Sequence, residues 1–106
     1  FSPTLVELAH RNSRYMANAG RVGSFDQETR TQRIEQEFGT NVDLKELVFT
    51  TESETTIHDA ALQAVTSWIE TSESFDVLDG PATAMGMDMF QNAESGRWFV
   101  TCFVIR

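Results

Sequence analysis

Leu5, Leu8, Ala9, Asn12, Met16 and Ala19 recur at steps of three and four, the spacing that brings side chains to one face of a helix. Ser2 ahead of this run can accept from an orphan backbone N–H, and Pro3 loses nothing by lacking one at the first helical position. Gly20 supplies the left-handed residue on which helices end. A helix is therefore predicted over residues 3–19, followed by a loop over 21–26. Gln27 to Phe38 reads as a short, highly charged helix stopped by Gly39, mostly solvated, with Ile34 and Phe38 four apart. Leu44 to Thr50 mixes branched and aromatic residues between polar segments and suits a strand.

Thr56 with Asp59 three residues on forms a capping pair, Asp standing in for the usual Glu. It opens a third helix in which Ile57, Ala60, Ala61, Ala64, Val65, Trp68 and Ile69 make an apolar stripe expected to pack hard against a sheet or another helix. Residues 71–83 read as a long surface loop carrying Gly80-Pro81. Ala84 to Gln91 and Arg97 to Arg106 then flank Asn92-Ala93-Glu94-Ser95-Gly96 as a hairpin. Trp98 to Ile105 is almost continuously apolar, as in a central strand covered on both faces. Met85, Met87 and Met89 alternate and so share one face, a core filler or the lining of a ligand groove.

At 106 residues the chain suits one hydrophobic core, and one domain over 1–106 is expected. No apolar run approaches the roughly 20 residues of a membrane span. Sixteen acidic against eight basic residues, a formal charge of -8, repel nucleic acid and anionic lipid alike. Cys102 is the only cysteine, so no internal disulfide forms. No phosphate-binding glycine loop is present, and no cofactor is expected.

Several segments, taken in order, resemble the CAP superfamily of cysteine-rich secretory, antigen 5 and pathogenesis-related 1 proteins, in particular its small bacterial members. Leu8-Ala9-His10-Arg11-Asn12-Ser13-Arg14-Tyr15-Met16-Ala17 is similar to the family helix with Ala, then His-Ser, then Met-Ala, with Asn12 in place of that His. Ala64 to Thr71 resembles the helix ending in Trp and a small hydroxyl residue. A His normally follows it, where Ser74 and Phe75 stand. Gly96-Arg97-Trp98-Phe99 with Thr101, Cys102 and Phe103 resembles the closing hairpin, Cys102 taking the place of a Gln. Lys45-Glu46-Leu47-Val48 matches the family's Gly-Glu-Asn-Ile at Glu46 and Val48.

The resemblance implies an α+β fold, a three-layer α-β-α sandwich with a mostly antiparallel central sheet. It also implies export, to the outside or the cell envelope, and a family first helix lying upstream of Phe1. Family members that bind metal use two His and two Glu. With Asn12 and Ser74 at the His positions, Glu46 loses its partners and no metal site is expected. The implied function is a non-enzymatic binding or structural domain. Its partner would be an unknown protein or a small lipid-like ligand, met by Asn12, Glu46, Ser74 and Trp98.

An alternative is a hydrolase, metal-assisted or not, using Glu46 with His10 or His58 in a cleft between the first and third helices, since catalysis needs hydrogen-bond reach. The ordinary role for both histidines is a helix-surface or capping one. His58 stands beside Asp59 in the first turn of its helix. Cys102, inside an apolar strand, reads as a buried inert thiol rather than a nucleophile. The acids of Glu52-Ser53-Glu54 and of residues 70–79 lack the spacing and glycine of a calcium loop.

Overall fold

The first and third helices begin on side-chain caps that the sequence supplies. In the computed structural model, which describes residues 1–71, 76–77, 80 and 82–106, α1 spans Pro3–Ala19, with Ser2 Oγ accepting from Leu5 N and Gly20 left-handed at its end. Helix α2 spans Gln27–Phe38 and α3 spans Ile57–Glu70, the latter capped by Thr56 accepting from Asp59 N. Asp26 precedes α2 in the left-handed region at φ 57, a conformation that Asp tolerates, and its carboxylate pairs with Arg11 instead of capping the helix. Strands β1 (Leu44–Thr50), β2 (Ala84–Gln91) and β3 (Trp98–Ile105) form one antiparallel sheet in the order β1-β3-β2. The chain is α+β, as expected, and the expected central strand is central.

Alternation along β3 separates two sets of contacts. Phe103 and Ile105 cluster with Leu5, Leu8 and Ala9 of α1 and Ile34 of α2, and Phe99 with Met16 and Ala17. Val100, Cys102 and Val104 cluster with Leu47 of β1 and with Ala64 and Trp68 of α3. In register, Thr101 lies opposite Val48 on β1 and Asp88 on β2. Helix α1 comes very close to β2 because Gly86 has no side chain. A Cβ there would lie 2.5 Å from the carbonyl carbon of Leu5 and overlap the backbone nitrogen of Val6.

One expectation is corrected. Of the seven apolar positions read as the packing stripe of α3, Ala60, Ala64 and Trp68 are buried, while Ile57, Val65 and Ile69 are exposed. Ala64 and Trp68 pack against the sheet, and the exposed apolar positions of the helix point away from it. The methionines pack, partly buried, against the cluster below α3, whereas Phe90 belongs with Met16 and Phe99 on the α1 side. The loop predicted over 71–83 falls largely outside the described residues.

Candidate functional site

Asn12 lies on the buried stripe of α1, where a polar side chain must find partners or cost the fold its desolvation. It finds three. Nδ2 donates to Gly23 O and to Thr101 Oγ1, each at 3.1 Å, and Oδ1 accepts from Phe25 N at 2.7 Å. Both amide hydrogens are thereby spent, one on the loop before α2 and one on β3. Ser13 Oγ lies 2.9 Å from Thr101 Oγ1 and 3.0 Å from Asp88 O, which ties α1 to β2 and β3. Asn12, Ser13 and Thr101 are all buried.

Glu46 meets the other side of the same loop. It shares the α1 side of β1 with Leu44 and Val48, since Leu47 turns to α3. Its Oε2 accepts from Ser24 Oγ at 3.0 Å and pairs with Arg30 Nη1 at 3.1 Å. Arg30, from α2, also donates to Ser24 Oγ and Phe25 O, and its guanidinium sits 5.0 Å from the centre of the Phe103 ring. Residues 23–25 are therefore held by Asn12 from one side and by Arg30 and Glu46 from the other. Asn12 and Glu46 thus meet the same loop from opposite sides, with residues 23–25 and Arg30 between them.

The histidines go elsewhere. His10 Nδ1 lies 2.9 Å from Asp88 Oδ2 on β2, both side chains well exposed, with the ring edge-on to Phe90. This pair borders a groove of about 470 Å³ lined by Phe1, Pro3, Val6 and Glu7. His58 is exposed in the first turn of α3, which packs on Val100 and Cys102 rather than on the α1 side. Glu46 on β1 and Asp88 on β2 are separated by β3, so their backbones stand roughly 10 Å apart. Among the described residues no hydrogen bond joins Glu46 to either histidine, and no hydroxyl or thiol hydrogen-bonds to His10. The cleft required by the hydrolase reading does not assemble from Glu46, His10 and His58.

Trp98, named as a ligand residue, is half-buried, and its indole donates to Thr55 O at 2.8 Å. Ser74 lies outside the described residues. Among those described, no three His, Cys, Asp or Glu side chains gather closely enough to hold a metal ion. Cys102 is buried, and desolvation pushes its thiol up to about 11, so it stays protonated at neutral pH.

Sequence reasoning missed Arg30, because a charged helix reads as solvated, and missed Asp88 as the partner of His10, because 78 residues separate them. The one available signal was Asn12, a polar residue on an apolar helical stripe. No protein-family model, curated protein or solved structure matches the chain.

Proposed function

We propose that the chain is a non-enzymatic, CAP-like binding or structural domain, of α-β-α sandwich architecture, that works outside the cytoplasm and has lost the family metal site. One observation carries this reading. Two of the positions that the resemblance marks as ligand residues, Asn12 and Glu46, spend their polar atoms on residues 23–25, Arg30 and Thr101. A ligand would have to displace that loop. A carboxylate already neutralised by an arginine is, in turn, a poor metal ligand.

The partner in this reading is another protein or a small lipid-like molecule, for which the groove beside His10 and Phe1 offers an apolar wall. The reading is tested by isothermal calorimetry with zinc. No saturable heat is expected. Micromolar or tighter binding that disappears in His10→Ala or His58→Ala would overturn it.

A further inference from the structure

Helix α3 is apolar on two sides. Ala60, Ala64 and Trp68 face the sheet, and Leu62, Val65 and Ile69, at steps of three and four, form a second stripe that is 60%, 36% and 51% exposed. Leu62 also borders a groove of about 560 Å³ between α3 and the end of β1, which Phe49, Glu52 and Glu70 help to line. Three large apolar side chains exposed on one helix face, beside a groove lined mostly by polar and acidic residues, mark a candidate interaction surface.

Charge identifies the occupant. From Thr51 to Gly80 the sequence holds Glu52, Glu54, Asp59, Glu70, Glu73, Asp76 and Asp79, with no Lys or Arg. Among the described residues Glu52 and Glu70 have no ion pair, while Glu7, Asp26, Asp43 and Glu46 each have one. Two arginines that contact this stretch spend their donors on its backbone carbonyls: Arg97 donates to Thr51 O, and Arg106 to Asp76 O and Val77 O. At the β1 edge the Trp68 indole already donates to Val48 O, taking one carbonyl from a strand-pairing partner. A second copy of the chain would bring the same acids against these, at a formal charge of -8 each, and an anionic membrane would repel the face equally.

We propose that this face of α3 docks a cationic amphipathic segment of a partner protein. Its apolar side chains would lie on Leu62, Val65 and Ile69, and its Lys or Arg side chains against Glu52 and Glu70. This rests on the reading of the chain as a binding domain and adds to it a surface and a partner chemistry.

The probe is a short synthetic helical peptide with Leu at helical spacing on one face and Lys on the other, titrated into the ¹⁵N-labelled chain. Saturable binding should shift the amides of Leu62, Val65 and Ile69. It should weaken at least about tenfold between about 0.01 M and about 0.15 M salt, where the screening length falls from about 30 to about 8 Å. Leu62→Ser with Val65→Ser should weaken it by about tenfold or more, as expected for lost apolar burial. Glu52→Gln with Glu70→Gln should flatten the salt dependence. These positions are exposed, and an unchanged far-ultraviolet circular dichroism spectrum verifies that the variants fold.

Equal binding of a Leu→Ser peptide of the same charge would overturn the proposal. So would no binding, shifts confined to α1 and β2, or self-association of the free chain that Leu62→Ser abolishes. A zinc site would sink the non-enzymatic reading without altering the peptide result, and a failed peptide titration leaves the zinc result standing.

Discussion

Replacing Asn12 with Ala tests whether the buried amide is what holds residues 23–25. Asn12 is 1% exposed and makes three hydrogen bonds of 2.7 to 3.1 Å. At about 1 kcal/mol each, their loss costs about 3 kcal/mol, and the stranded Phe25 N–H and Gly23 carbonyl add to that if water does not reach them. Alanine's better helix propensity returns up to about 0.7 kcal/mol. The net prediction is a loss of about 2 to 3 kcal/mol, or a Tm lower by roughly 10 to 20 °C for a domain of this size. Urea denaturation gives the first number. Amide hydrogen exchange gives a sharper one, because Phe25 N–H should be protected in the parent and exposed in the variant while the amides of β3 stay protected. A variant within about 0.5 kcal/mol of the parent, with Phe25 still protected, would refute the assignment, since surface substitutions commonly fall in that range.

Three further outcomes are expected. Arg30→Met and Glu46→Gln should each destabilise, and a double-mutant cycle in urea should return a coupling of about 1 to 2 kcal/mol, as for neighbours sharing a network; additivity would show that the 3.1 Å pair is idle. Gly86→Ala should cost roughly 2 kcal/mol or more, because the new methyl meets the backbone of Leu5 and Val6 rather than a movable side chain; a neutral result by thermal melt would mean that α1 rides higher over β2. The thiol of Cys102 is raised by burial from 9.0 to about 11, so the fold favours its protonated form. That contribution is intact below pH 9 and is lost between about pH 9 and 11, up to roughly 2 to 3 kcal/mol, as the unfolded chain releases its proton first. Urea melts across that range should lose more stability in the parent than in Cys102→Ala, and parallel losses would contradict it.

Helix limits were legible because their signals are local. Ser2-Pro3, Gly20, Gly39 and the Thr56–Asp59 pair each act within one turn, and each marks an end found in the structure. The central place of β3 was legible too, since only a strand covered on both faces carries so continuous an apolar run. The site was not. Asn12 meets Thr101 across 89 residues and Glu46 meets Arg30 from a different element, and no spacing rule reaches across such separations. The apolar stripe of α3 was over-read for a related reason: periodicity identifies apolar faces of a helix but not how many of them a three-stranded sheet can cover.

The two sides of the molecule spend their charge differently, and that difference bears on where a partner could act. Among the described residues, three of the four Lys or Arg ion pairs lie on the α1 side and tie α1, α2, their loop and β1: Arg11 to Asp26, Arg30 to Glu46 and Arg33 to Glu7. Binding there would first have to break pairs and hydrogen bonds that the fold already uses, at a cost subtracted from any affinity. On α3 the apolar and acidic groups are already solvent-facing, so a partner gains their burial and pairing without breaking an internal contact. If selection replaced an ancestral site on the α1 side, the surface that could acquire a new partner at least cost to stability is the one that the old site never used. In that case Arg30→Met should loosen residues 23–25 yet leave peptide affinity at Leu62 and Val65 unchanged; a parallel loss of both would show that the two sides are coupled through β1.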